Sequence, residues 1–362
     1  MVTRIAEITR NQPTPYMRWQ ESEGIPSVGG YVVEDLNTVE VYPWARMGGK
    51  GVFVNLEGAE QANDGYLCEI PPGQALEPQR HLYEALIFVL KGRGATTVWQ
   101  PDGGKQTFEW GEGSLFSPPM NAYYQMFNGS GTEPARFFAV TTAPVVMNLF
   151  HNADFIFNNP FVFNDRFGGE TDYFSGEGKL HFGRLWESNF ISDVYNMQLQ
   201  EYKERGAGGI NVRFQMSDNT IGAHISQFPV GTYKKAHRHG PGAHVIILNG
   251  SGYTLMWPQI GAEPQMFPWK KGSLIVPPDM WFHQHFNSGT NPARYLALRW
   301  GSDKYGVHAV RMSHGSRASE STEEGGDQIE YPNEDPKIMQ IFQQELGKHG
   351  AKPQEPIESW RK

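Results

Sequence analysis

Twelve histidines occur in the 362-residue chain, and six of them fall between positions 224 and 285: His224, His237, His239, His244, His283 and His285. His237 and His239 lie two apart in the stretch HRH, and His283 and His285 two apart in HQH. Residues two apart on a β-strand share a face. If these stretches are neighbouring strands of one barrel, both pairs point into its lumen. Neutral imidazoles converging in a concave site bind divalent transition metals well. One histidine on a strand is ordinary, whereas two such pairs close together predict a metal site. His244, in the apolar stretch five residues beyond His239, reads as packing or a pocket wall and not as a ligand; His224, in IGAHISQF, is a further pocket candidate. His151, His181, His308, His314 and His349 have no partner that spacing identifies.

The elements that must position these rings occur twice. GQALEPQRHLYEALIFVLKGRG, from Gly73, resembles GTYKKAHRHGPGAHVIILNGSG, from Gly231. GSLFSPPMNAYYQMFN, from Gly113, resembles GSLIVPPDMWFHQHFN, from Gly272. His81 and His239 are 158 positions apart, as are Gly92 and Gly250; Gly113 and Gly272, like Asn128 and Asn287, are 159 apart. Separated motifs that share one offset mark an internal duplication, here of two homologous domains over 51–148 and 209–311. The upstream copy has Gln79 and His81 in place of His237 and His239, and Tyr124 and Met126 in place of His283 and His285. One imidazole with an amide and a phenol would hold a metal poorly, so the site is expected in the downstream copy. His81 with Glu84 reads as a structural pair or a relic.

Within each copy, short apolar runs alternate with turns. ALIFVL, a glycine turn and ATTVW read as a hairpin, and HVIILN, GSG and YTLMW repeat that reading. GSLFSPP and GSLIVPP read as strands ended by proline. The 41 glycines and 25 prolines favour turns over long helices, and 13% aromatic residues suit broad sheet faces. The expected fold is all-β, built from sandwiches or small barrels. Residues 1–50 form an N-terminal arm with strand-like YVVEDL and VEVYPW, and residues 149–208 an aromatic connector packed on the barrels. Residues 312–362 form a polar tail containing one helix, DPKIMQIFQQELGKHG. Asp335 caps it, Pro336 opens it, and Ile338, Ile341, Phe342 and Leu346 form a stripe that docks on a barrel or a neighbouring subunit. A net charge of −8 without a basic run argues against nucleic acid. No apolar stretch approaches the ~20 residues of a membrane span, and the N-terminus lacks the apolar core of a signal peptide. The one cysteine, Cys68 in YLCEI, allows no intrachain disulfide and reads as a packed core residue. A soluble cytoplasmic protein is expected, with the apolar arm, connector and tail helix suggesting a homo-oligomer.

These segments resemble the cupin superfamily. Its first motif is Gly, five residues, His-x-His, three or four residues, Glu, six residues, Gly; the chain has Gly231, His237, His239, Ala243 and Gly250. Its second is Gly, five residues, Pro-x-Gly, two residues, His, three residues, Asn; the chain has Gly272, Pro278, Met280, His283 and Asn287. Ala243 replaces the usual Glu and Met280 the usual Gly. The upstream frame is Gly73, Ala85, Gly92, Gly113, Pro119 and Asn128. The resemblance covers both repeats and implies a bicupin, two jelly-roll barrels in tandem, flanked here by the arm and the short C-terminal helix. It implies His237, His239 and His283 as metal ligands, with His285 as a neighbour that contacts substrate. Three neutral ligands leave the ion its full charge and an open face, the all-histidine counterpart of the two-His-one-carboxylate oxygenase site. Alanine at the Glu position resembles gentisate and related salicylate or hydroxynaphthoate ring-cleaving dioxygenases. Those enzymes typically keep the metal in the N-terminal barrel, so their pocket residues are not carried over.

The resemblance thus implies a non-haem Fe(II) dioxygenase whose partners are O2 and a small, hydroxylated aromatic acid that chelates iron through two oxygens. Trp257, Trp281, Phe282 and the strand around Ile247 are expected to wall the pocket, with His244 and His224. His285 and Arg299 are the catalytic candidates, to bind a carboxylate or move a proton; Arg299, in LALRW, reads equally as a salt-bridge residue. The alternative is an Mn, Zn or Ni lyase, isomerase or decarboxylase that does not use O2, although alanine at both Glu positions (Ala85 and Ala243) disfavours oxalate-type chemistry. The third is a non-catalytic bicupin that binds a small molecule. No dinucleotide fingerprint or Walker loop implies an organic cofactor.

Overall fold

A computed structural model describes residues 12–101, 103–181, 183–305 and 317–354; His308 and His314 lie outside them. The duplicated segments fold into two jelly-roll barrels, each a large sheet facing a three-stranded one. The upstream large sheet runs, in spatial order, Ser27–Val28, Gly49–Val54, Asp64–Ile70, Ala135–Thr141, Ala85–Lys91, Leu115–Phe116 and Phe190–Ile191. Its downstream counterpart includes Ile210–Gln215, Ile221–Phe228, Ala293–Trp300, His244–Asn249 and Leu274–Ile275.

The continuous apolar runs ALIFVL and HVIILN are explained by burial on both faces. Ile87 and Val89 fill the upstream barrel, and Val245 and Ile247 the downstream one. The alternate residues Leu86, Phe88, Leu90, Ile246 and Leu248 share one cluster between the two large sheets. The barrels are therefore fused through their sheets, each such side chain contributing roughly 1.5–3 kcal/mol by burial.

The expected hairpins do not form. Ala85–Lys91 belongs to the large sheet, whereas Arg93–Trp99 pairs with Tyr123–Asn128 and Lys105–Gly111 in the small one. Gly92, at φ 91°, carries the chain from one sheet to the other, and Gly250, at φ 86°, repeats the crossing. A Cβ on Gly92 would lie 2.8 Å from the Cα of Ala135, so the crossing is too tight for a side chain.

Arm and connector exchange edges. Val32–Val33, from the arm, pairs with Leu274–Ile275 of the downstream barrel, and Phe190–Ile191, from the connector, pairs with Leu115–Phe116 of the upstream one. Val33 and Ile191 are 158 positions apart, the offset of the duplication. Each segment continues into the same turn: the Leu36 amide donates to the Gly272 carbonyl at 2.9 Å, and the Val194 amide to Gly113 at 2.9 Å.

Glu84 is a clasp between the barrels and not a partner of His81. Its carboxylate accepts from the Thr220 amide (2.9 Å), the Thr220 hydroxyl (2.7 Å) and the Ile221 amide (3.2 Å). In the reverse direction, Asn63 Nδ2 donates to the Gly242 carbonyl at 2.9 Å.

The tail helix spans Pro336–Gly347, with the Asp335 carboxylate accepting from the Lys337 amide. Ile338, Phe342 and Leu346 are buried on the downstream barrel, with Phe342 5.0 Å from the Tyr233 ring and Ile341 partly covered. Cys68 is fully buried, and burial pushes its thiol pKa up, as suits a packing role. Among the described residues, no helix is long and apolar enough to cross a membrane.

Candidate metal centre

Strand Phe282–Phe286 pairs with Ser251–Trp257 and sets His283 opposite Met256 and His285 opposite Thr254. His237 forms a bridge with His283, their amides and carbonyls exchanging hydrogen bonds of 3.1 and 2.8 Å. Period-two geometry then directs the HRH and HQH rings to one side. The ring centroids of His237 and His283 are 4.3 Å apart and those of His239 and His283 4.6 Å, and one ligand atom from each of the three lies within 4.8 Å of the others.

Backbone carbonyls fix the tautomers. Nδ1 of His237 faces the Lys235 carbonyl (3.2 Å), Nδ1 of His239 that of Gly240 (2.7 Å) and Nδ1 of His283 that of Trp281 (3.1 Å). A carbonyl can only accept, so each Nδ1 carries the hydrogen and each Nε2 keeps its lone pair. Burial depresses the pKa of all three rings, that of His283 to about 4, so they are neutral and ready to ligate at ordinary pH. The donor set fits a divalent transition ion. Met280 supports the set from the side. It takes a left-handed φ of 55° where the cupin motif has Gly, as Asn121 does at 57° in the upstream copy, and its amide donates to the His239 carbonyl at 3.0 Å.

His285 lies beside the trio, its ring 5.8 Å from His283. Trp269 Nε1 donates to Thr254 Oγ1 at 3.1 Å, and the Thr254 hydroxyl in turn faces His285 Nδ1 at 2.7 Å. A hydroxyl that accepts from Trp269 has its own hydrogen to give, and giving it to Nδ1 would leave Nε2 carrying the ring hydrogen. The same pair, Trp110 and Thr96 at 2.9 Å, stands in the upstream barrel with Met126 in the place of His285.

The trio opens into a cavity of about 340 Å³ that His224, His285 and Arg299 also line. Four expected pocket residues do not line it. His244 shares the face of Ile246 and Leu248 and packs 6.0 Å from Phe138 of the other barrel. Trp257 lies in the outer cluster, stacked on Phe282 at 5.9 Å, and Trp281 packs 6.1 Å from Tyr31 of the arm. Phe282 is a core residue. From the strand around Ile247 it is Val245 that lines the wall, with Tyr295, Ala297 and, at the missing-Glu position, Ala243.

Sequence reasoning missed the arginines. Arg184, Arg205 and Arg213 join Arg299 around the cavity, with Tyr202 beside them and residues 317–320 on its rim. A usable signal existed in the duplication: Asp35 and Asp193, and Trp44 and Tyr202, are 158 positions apart, which places the connector over the downstream barrel as the arm lies over the upstream one.

The upstream counterpart is closed. His81 Nδ1 faces the Tyr83 carbonyl (2.8 Å) and its Nε2 the Tyr124 hydroxyl (3.0 Å), so neither nitrogen is left for an ion. The space there is about 10 Å³, with Tyr16 and Trp19 of the arm helix Pro15–Ser22 pressed against it.

Burial holds both His81 and His244 at a pKa of about 4. Both are neutral above pH 6.5 in folded and unfolded chains. Between pH 6.5 and 4 the unfolded chain takes up protons that the native one refuses, so stability falls by about 1.4 kcal/mol per pH unit for each ring and levels off below pH 4. Urea unfolding of the metal-free protein across that window should show a fall to which every buried neutral ring adds, those of the trio included, and His244→Phe should remove one ring's share. An unchanged slope would show that His244 does not stay neutral.

No family model matches the chain, and no curated protein does. Solved structures similar to it include an oxalate decarboxylase, 16% identical over 77% of this chain and 78% of its own, with a TM-score of 0.50. A variant of the Bacillus subtilis oxalate decarboxylase is 15% identical over 77% of this chain and 79% of its own, also at 0.50. A third structure, of the Mn(II) centres of that enzyme, has a TM-score of 0.49. A likeness at such identity is one of fold. The chain is a two-barrel protein of the cupin fold, with its three-histidine cluster in the downstream barrel.

Proposed function

We propose that the chain is a divalent-metal enzyme that takes a small carboxylate-bearing substrate and breaks a carbon–carbon bond next to the group held at the metal. The observation that supports this reading is the meeting of His237, His239 and His283 at the end of an arginine-lined cavity. All three donors are neutral, so an ion held there keeps its whole charge for an anionic substrate. When bound, the ion supplies Lewis acidity, polarising the oxygens it holds. The chain's own residues do the rest. Arg299 is placed on the cavity wall to pair with a carboxylate. His285 presents its Nε2 hydrogen to a substrate oxygen or to the carbon at which the bond breaks. Val245, Ala297 and Ala243 supply an apolar wall that keeps water off.

The non-oxidative form, an Mn, Zn or Ni lyase or decarboxylase, is the reading we favour, and the fold shared with oxalate decarboxylases supports it. Ala85 and Ala243 at the two Glu positions, together with a cavity of about 340 Å³, favour a substrate larger than oxalate. One observation favours the second reading, an Fe(II) dioxygenase for hydroxylated aromatic acids. Among the described residues no carboxylate groups with the trio, which leaves room for a chelating substrate and O2 together.

Protein prepared without chelator, and then loaded with Mn(II) or Fe(II), is expected to release CO2 or another cleavage product from hydroxy- and oxo-acids under nitrogen. Oxygen uptake with Fe(II) and hydroxybenzoates, and no anaerobic product, would establish the oxidative reading. A fully metal-loaded protein that does neither is a binder, and both enzymatic readings fall.

A further inference from the structure

Lys234 is 1% exposed, and its Nζ has no hydrogen-bond partner; the nearest ring, of Phe228, lies 5.1 Å away. An unpaired buried ammonium is costly, and folds rarely keep one without use for it. The fold does not require it here. The duplicated position, 158 residues upstream, is Leu76, buried to 2%. The ammonium occurs in the barrel that has the three histidines and is replaced by an alkyl chain in the barrel that has lost them.

Lys234 lies next to the side chains that line the cavity. Its amide donates to the His285 carbonyl at 2.9 Å, so the two side chains share a face, and the Lys235 amide donates to the Arg205 carbonyl at 2.9 Å. His285 and Arg205 both line the cavity. Burial and the charges of Arg205 and Arg184, both of which line the cavity, lower the Lys234 pKa to about 7. Its ammonium is thus only part-formed at neutral pH, and an anion set beside it would complete it. Arg184 stacks 3.6 Å over the Tyr202 ring and donates to Asn211 Oδ1 at 2.8 Å. Arg205 donates to the Ala318 carbonyl at 2.6 Å, Gln328 Oε1 at 3.1 Å and the Ser319 hydroxyl at 3.2 Å. Among the described residues, neither has a carboxylate partner. In contrast, Arg213 is paired with Asp303, and Arg317 with Glu320. Three basic side chains thus gather beside one cavity, none of them paired with a carboxylate among the described residues.

We propose that Lys234, Arg184 and Arg205 form a second anion-binding subsite, which takes a carboxylate of the substrate other than the one held at the three histidines. The substrate class is then a dicarboxylic acid whose two acid groups are separated enough to engage both places. This rests on the metal-held carboxylate proposed above, while the subsite itself stands on its own three residues.

The test is titration calorimetry on Zn(II)-loaded protein, after its metal content has been measured, with glutarate and phthalate compared against butyrate, benzoate and oxalate. Wild type should bind the separated diacids roughly tenfold or more tighter than the monoacids, the worth of one charge-assisted hydrogen bond. Lys234→Leu restores the residue of the other barrel and is the first variant; Arg205→Met is the second, should the first fold poorly. Either should erase the diacid preference while leaving monoacid and oxalate binding and metal content unchanged. A wild type without diacid preference, or variants that retain it, would overturn the subsite. If wild type holds no metal and yet shows a diacid preference that the variants lose, the subsite stands and the metal-enzyme reading fails.

Discussion

His283→Ala is expected to strip the protein of its metal. His283 is the ring that both other histidines approach, at 4.3 and 4.6 Å, and its backbone bridge to His237 aligns the two segments. With no carboxylate in the set, two imidazoles remain after the substitution. Affinity should fall by more than the ~100-fold that loss of an outer-sphere partner can cost. His237→Ala should do the same. His81→Ala is the control, because both its ring nitrogens are spent on the Tyr83 carbonyl and the Tyr124 hydroxyl. It should leave metal content intact and cost on the order of 1–3 kcal/mol of stability through the groups left unpaired. Metal per chain, measured by emission spectrometry on protein purified without chelator, decides. Full metal in His283→Ala, or none in His81→Ala, would place the centre in the other barrel.

The second large effect is on the union of the barrels. Glu84 is 3% exposed and accepts from two amides and one hydroxyl of residues 220–221, with Arg166 3.6 Å away. Glu84→Ala leaves those donors and a guanidinium without their acceptor. Removing one side of a buried charged contact costs roughly 3–5 kcal/mol, which should appear as a lower midpoint in urea with metal content preserved. Glu84→Gln keeps an acceptor and should recover part of the loss. A change below about 1 kcal/mol in Glu84→Ala would mean that the sheet-to-sheet core alone holds the barrels together.

The meeting of the three histidines is legible in the sequence because two period-two pairs fix a face and a duplicated Gly/Pro frame fixes the register. The tail helix is legible for a similar reason: Asp335 and Pro336 mark its start, and the stripe from Ile338 to Leu346 marks its buried side. The choice of sheet is not legible. A glycine between two apolar runs looks the same whether the chain folds back or crosses over, and at Gly92 and Gly250 it crosses. The same ambiguity misplaces His244, because a run buried on both faces does not show which face is the lumen. Trp257 and Trp281 are misplaced because proximity in sequence to HQH is not proximity in the barrel. The arginines are invisible to motif reading, since Arg184 and Arg205 arrive from the connector by long-range pairing. The copy-specific charge at Lys234 emerges once the two barrels are compared position by position.

The exchange of Val32–Val33 and Phe190–Ile191 between the barrels has a consequence for the history of the chain. Reciprocal donation of an edge is what two identical subunits do when they embrace as a domain-swapped pair. Joining the genes of such a pair end to end yields this topology without any rewiring of the sheets. Each half therefore depends on the other for an edge: parting the barrels would leave Leu274–Ile275 and Leu115–Phe116 without the strands that cover them.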